Sequence, residues 1–146
     1  MIVYVDSSVL VRAYLNDEDG HEDAVALLDD PELALVTGTW TRSEVSGALV
    51  RAARGGRGQE IGLLTLLDAD LSHEGPVTVV AAAQEEIERR ALDLVRTYAI
   101  RAMDAWHLAT AIVIAPSLAE PGEEVGFSTR DRAQADVAVA LGMRAV

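Results

Sequence analysis

The sequence predicts an α/β fold: a parallel sheet covered by helices on both faces. Short runs of β-branched and aromatic residues recur along the chain, with IVYV at 2–5, VTVV within 76–81 and VGFS at 125–128. Each is nearly continuous in apolar residues, as a strand buried on both faces must be. Segments with apolar residues three and four apart stand between these runs, so strands alternate with helices. The 146 residues, half of them hydrophobic, form a single domain over 1–146 that can bury about two-thirds of its unfolded surface without disulfide or metal support.

The first strand, 2–5, ends at Asp6, after which Ser7 is placed to cap a helix carrying Val9, Leu10, Ala13 and Tyr14. An acidic loop at 16–20 leads into a second helix at 21–28. Residues 33–36 read as the second strand, and Thr37 or Thr39 as the cap of a helix from about 40 to 54, stopped by Gly55 and Gly56. A helix over 59–71 has apolar residues at 61, 63, 64, 66, 67 and 71. The third strand, within 76–81, is followed by helices at about 84–98 and 103–114. A loop at 116–124, a strand at 125–128, a helix at 131–141 ended by Gly142 and an edge strand at 143–146 complete the chain. No internal repeat or low-complexity stretch is visible.

Composition removes several kinds of chemistry. Without cysteine there is no thiol nucleophile, zinc-thiolate site or disulfide scaffold. All twelve basic residues are arginine, so Schiff-base chemistry and a phosphate-loop lysine are excluded as well. A net charge of −12 argues against broad adhesion to nucleic acid or anionic membrane. One local exception exists: residues 40–59 carry Arg42, Arg51, Arg54 and Arg57 against Glu44 alone, a net of +3. No apolar run approaches the roughly 20 residues of a membrane span, and the start lacks the basic lead and cleavage site of a signal peptide. A cytoplasmic protein is expected.

Ligands of such a sheet sit beyond the carboxyl ends of the strands, where strand order reverses. Asp6 follows the first strand and Asp131 follows the fourth, while Glu44 in TRSEV and Asp104 in RAMDAWHLATA lie within amphipathic helices. Taken singly, Asp6 and Asp131 also suit helix caps, Asp104 an early helical position favoured by the macrodipole, and Glu44 a solvated face. Brought together, the four would repel unless divalent cations neutralised them. Oxygen-only ligands suit Mg²⁺ or Mn²⁺, which also bind phosphate and activate water.

VDSSVLVRAYL, TRSEV, RAMDAWHLATA, and FSTRD followed by an Ala-rich helix together resemble the PIN-domain ribonucleases over nearly the whole chain. Within that family the chain looks most like the VapC-type toxins of bacterial type II toxin–antitoxin modules. The first and third motifs are specific in combination; TRSEV alone is weak. The resemblance implies a parallel sheet of order 3-2-1-4-5. It makes Asp6 and Asp104 the principal metal ligands, with Glu44 completing the set and Asp131 acting directly or through water. It implies a Mg²⁺-dependent endoribonuclease, with Mn²⁺ an alternative, that hydrolyses RNA by metal-activated water. It further implies inhibition by a cognate VapB-type antitoxin across the same groove, and a homodimer.

Ser8 and Thr129 match small hydroxyl positions near the carboxylates and suit either water or phosphate positioning or plain turn and cap roles. Arg12, Arg42, Arg51 and Arg54 are candidate contacts for RNA or antitoxin; pairing with surface acids is the competing reading. His107, three residues after Asp104, suits packing or hydrogen bonding better than general-base catalysis, and Trp106 suits the core. A PIN nuclease outside a toxin pair and a nonenzymatic binding module remain as alternatives. A receiver domain or an Asp-x-Asp phosphatase does not fit, because Ser7 and Ser8 follow Asp6 and lysine is absent.

Overall fold

A computed structural model describes residues 1–146 and contains five strands and seven helices. The strands are β1 (Ile2–Val5), β2 (Ala34–Gly38), β3 (Val77–Val80), β4 (Val125–Ser128) and β5 (Arg144–Ala145). They pair in parallel in the order β3-β2-β1-β4-β5, with Tyr4 beside Val36 on one flank and Phe127 on the other. The expected order 3-2-1-4-5 is therefore observed, and the reversal falls between β1 and β4.

Side-chain alternation along β1 explains the three layers. Ile2 and Tyr4 join one core cluster with Phe127 and the helices α5 (Gln84–Tyr98), α6 (Ala102–Leu118) and α7 (Arg132–Ala140). Val3 and Val5 join another with α1 (Ser7–Tyr14), α3 (Thr41–Arg54) and α4 (Glu60–Asp70), and with Ala24 of α2 (His21–Leu28). The period of two thus sends neighbouring residues to opposite faces, each covered by helices.

Three local expectations are corrected. Asp6, rather than Ser7, is the N-cap of α1, its carboxylate accepting from Ser8 N; Ser7 is already helical and buried. Neither Thr37 nor Thr39 caps α3, whose N-cap is Trp40; Thr37 instead donates to Val5 O and lies 2.7 Å from the Thr41 hydroxyl, tying β2 to β1 and to the start of α3. Helix α6 also runs through Pro116 to Leu118, where a loop had been expected from 116. Proline so near a C-terminus removes only one intrahelical donor, and the Ser117 hydroxyl caps Ile114 O at 2.7 Å.

Gly38, the last residue of β2, lets α6 approach the sheet. A Cβ there would lie 2.9 Å from Thr110 Cγ2 and 3.1 Å from the Tyr4 hydroxyl, which accepts from Gly38 N. Gly38→Ala is expected to cost about 1–3 kcal/mol by overpacking, read as a lower urea midpoint at unchanged slope.

Candidate active site

At the carboxyl end of the sheet, α1, α3 and the start of α6 enclose an open groove of about 680 Å³ whose lining includes Asp6, Glu44, Asp104 and Arg51. Three of the four carboxylates singled out in the sequence therefore meet, although up to 98 residues separate them. Asp131 does not line the groove but reaches it through Arg101, as described below.

Capping and convergence turn out to be compatible, because the aspartates divide their oxygens. Asp6 Oδ2 accepts from Ser8 N at 3.1 Å and from Ser8 Oγ at 2.6 Å, while Oδ1 faces His107 and Gln134 at 3.5 Å. Asp131 Oδ1 caps α7 through Gln134 N at 3.0 Å, and its Oδ2 accepts from Arg101 Nη2 at 2.8 Å. Ser8 is thus fastened to Asp6 and also accepts from Arg130 N at 3.1 Å, joining the start of α1 to the loop after β4. Thr129 donates to Gln134 Oε1 at 2.5 Å and stands 3.4 Å from Asp6 Oδ2.

Glu44 is held from inside the protein. Its Oε2 lies 2.6 Å from His107 Nε2 and accepts from Ser7 Oγ at 3.0 Å; His107 Nδ1 is 2.9 Å from the Tyr4 hydroxyl. Burial opposes charge on His107, which is 2 % exposed, but the Glu44 hydrogen bond and the charges of Asp6, Glu44 and Asp104 outweigh it and raise its pKa. Burial likewise opposes charge on Glu44, yet the His107 and Ser7 contacts hold its pKa below the ordinary carboxylate value. Both shifts describe an imidazolium–carboxylate pair, with Nε2–H donating to Glu44 and Nδ1–H to Tyr4. The hydrogen-bonding role expected for His107 matches this geometry.

The candidate arginines separate clearly. Arg51 lines the groove and has no carboxylate partner. Arg42 pairs with Asp68 at 2.7 Å and donates to Leu71 O, so it points away from the groove. Arg54 pairs with Glu60 at 3.3 Å. Arg12 lines a separate cavity of about 260 Å³ beside Thr129, its Nε buried without a partner. Trp106 is half-buried against the core and edge-on to the exposed Trp40.

Sequence reasoning missed two participants, Ser7 and Gln134, and placed a third, Arg101 at the head of RAMDAWHLATA, beside the carboxylates as an RNA-steering arginine without its carboxylate partners. Ser7 lies one position from the serine it selected. Gln134 is 1 % exposed and donates to Asp104 O at 3.1 Å while touching Asp6 and Thr129. A buried amide on an otherwise Ala- and Val-rich helix was the available signal. Arg101, the residue before α6, donates from Nε to Asp104 Oδ2 and from Nη2 to Asp131 Oδ2, both at 2.8 Å.

The PIN domain family profile matches residues 3–140. The chain belongs to the PIN domain family. Solved structures with this fold include a toxin–antitoxin complex from Klebsiella pneumoniae, at 19 % identity and TM-score 0.55, over 88 % of this chain and 86 % of that one. VapBC-1 from nontypeable Haemophilus influenzae aligns over 100 % of this PIN chain and 97 % of its own, at 18 % identity and TM-score 0.58. Mycobacterium tuberculosis VapC20, a toxin that cleaves the sarcin–ricin loop, aligns over 79 % of this chain and 82 % of its own, at 19 % identity and TM-score 0.58. No curated protein matches the sequence.

The donor set of this PIN domain suits a hard divalent cation: the groove carboxylates supply oxygen only, and no thiolate is available. As they stand, no three carboxylates are grouped closely enough to ligate one ion. Their charges are met instead by His107 from within and by Arg101 from outside.

Proposed function

We propose that this PIN domain is a metal-dependent endoribonuclease toxin of the VapC type, inhibited by a cognate VapB-type antitoxin and active as a homodimer. The observation that carries the reading is the meeting of Asp6, Glu44 and Asp104 in one open groove at the point where strand order reverses. The neighbouring toxin structures supply the fold-level analogy.

Asp6 and Asp104 would hold Mg²⁺ or Mn²⁺, with Glu44 and Asp131 completing the set. The bound ion would supply Lewis acidity to the scissile phosphate and to the attacking water. Ser8 fixes the Asp6 carboxylate in one rotamer by its 2.6 Å bond. Ser7 and His107 aim Glu44, and Gln134 spaces Asp6 from the first turn of α6. Preorganisation of this kind spares reorientation when substrate arrives. Arg51 would receive the RNA backbone on the opposite wall, while the acidic remainder of the surface discourages nonspecific binding.

Cleavage of total cellular RNA by purified protein with Mg²⁺, with Mn²⁺ and with EDTA tests the reading. Discrete metal-dependent fragments are expected, and their absence with every metal from folded protein would overturn it. The role of Arg51 is tested separately. In an Asp104→Asn background that prevents cleavage, Arg51→Ala is expected to lower the slope of log affinity against log salt by about 0.7 for a single-stranded oligoribonucleotide. Arg54→Ala, already paired with Glu60, is expected to leave the slope unchanged.

A further inference from the structure

We propose that Arg101 is an exchangeable counter-cation of the site: it clamps Asp104 and Asp131 in the metal-free protein and moves to a phosphate oxygen of the RNA when metal binds. This inference rests on the nuclease reading and extends it to the arginine that opens the Asp104 motif.

The geometry is specific. One edge of the guanidinium, Nε and Nη2, donates at 2.8 Å to two different carboxylates, Asp104 on α6 and Asp131 at the cap of α7. Two such charge-assisted bonds from one planar fork bridge the start of α6 to the cap of α7. Asp131 has no other oxygen free of the α7 cap and Asp104 gives up one of its two, so the fork competes with an ion that these two carboxylates would ligate. The two counter-cations are not equivalent in this respect. His107 is buried beneath Glu44 and has nowhere to go, whereas the Arg101 side chain is 76 % exposed and stands at the mouth of the groove. Its third nitrogen, Nη1, bonds no protein group.

Displacement leaves the guanidinium within one side-chain rotation of Asp104. An RNA phosphate drawn to a cation on Asp104 therefore enters the reach of Arg101, whose freed donors match phosphate oxygens. Arg51 approaches the groove from α3 on the other side. The backbone would be held between two guanidiniums, only one of which is tied up before loading.

Two measurements of opposite sign test the exchange. Calorimetric titration with Mn²⁺ alone should show Arg101→Ala binding about three- to tenfold more tightly than wild type, because a competitor for the carboxylates is gone. Cleavage by the same variant at saturating Mn²⁺ should nevertheless fall at least about tenfold in kcat/KM, since a donor to the phosphate is lost. Arg101→Lys keeps a charge but not the two-pronged fork, and should recover part of the cleavage while binding Mn²⁺ more tightly than wild type. Removing charge alone is controlled by Arg51→Ala, which clamps no carboxylate and should move Mn²⁺ affinity less.

Unchanged or weaker Mn²⁺ binding in Arg101→Ala would overturn the clamp. Tighter binding with undiminished cleavage would overturn the transfer to phosphate. Wild-type protein that binds Mn²⁺ but cleaves no RNA, with the Arg101→Ala affinity still raised, would overturn the nuclease reading and the transfer together, leaving the clamp supported.

Discussion

Asp6→Asn and Asp104→Asn are each expected to lower the rate of RNA cleavage by about three orders of magnitude while leaving the fold intact, since several kcal/mol of charge stabilisation depend on the ion they would hold. The substitution is nearly isosteric. At position 6 an asparagine oxygen can still accept from Ser8 N and Ser8 Oγ, so the cap of α1 survives. At position 104 the side chain is partly exposed and its backbone carbonyl, which accepts from Gln134, is unaffected. What disappears is one negative charge in the groove. Thermal melts of the metal-free variants should stay close to wild type, because relief of repulsion among the groove carboxylates offsets the lost attraction of Asp6 to His107 and of Asp104 to Arg101. Loss of cleavage without loss of melting temperature separates a ligand from a structural residue. Full activity in both variants would remove the site from this groove. Asp131→Asn should have a smaller effect on cleavage, because one of its oxygens is committed to the α7 cap and it lies outside the groove lining.

The layout of this site was legible in the sequence to the extent that it follows from local periodicity. Runs such as IVYV and VGFS can hardly be anything but doubly buried strands, and a carboxylate directly after such a strand lies at the functional end of the sheet. That reasoning placed Asp6 without knowledge of its neighbours. It could not decide between capping and ligation, because both use the same residue; the structure assigns capping to one oxygen and leaves the other facing inward. It also failed wherever the role depends on elements approaching from far along the chain. Ser7 matters only because α3 brings Glu44 within 3.0 Å, and Gln134 only because α7 packs beside the first turn of α6. Arg42 and Arg51 look alike in sequence, nine residues apart in one basic stretch, yet α4 supplies Asp68 to one of them and leaves the other in the groove. Proline at 116 misled for a different reason: its cost depends on how close it stands to the helix end.

His107→Phe tests the internal pair, and its effect should depend on pH and on metal. Phenylalanine keeps an aromatic ring of similar volume, so packing against Tyr4 and the surrounding apolar side chains is largely retained. The pair itself is lost, which leaves Glu44 without its cation and Tyr4 with only the Gly38 N–H. Removing one partner of a fully buried ion pair costs about 3–5 kcal/mol, but Glu44 is about one-third exposed and water can solvate part of its charge. A loss of about 2 kcal/mol is therefore expected in EDTA near pH 5.5. The pH dependence follows from the two shifts. His107, raised above 6.5, contributes stability that is complete below that value and is lost as pH rises through its folded pKa. Glu44, lowered below 4.5, contributes stability that is complete above that value and is lost as pH falls through its folded pKa. The difference between wild type and variant in urea denaturation should thus be largest between about pH 4.5 and 6.5 and should shrink on the alkaline side. An equal loss at every pH would mean that the ring is neutral and merely fills space. Adding Mg²⁺ provides the second handle, because a cation at the groove carboxylates neutralises the charge that His107 no longer meets. Mg²⁺ should stabilise the variant more than wild type, in which the imidazolium opposes its entry. The buried histidine would then set the electrostatic cost of loading the site while taking no part in bond cleavage.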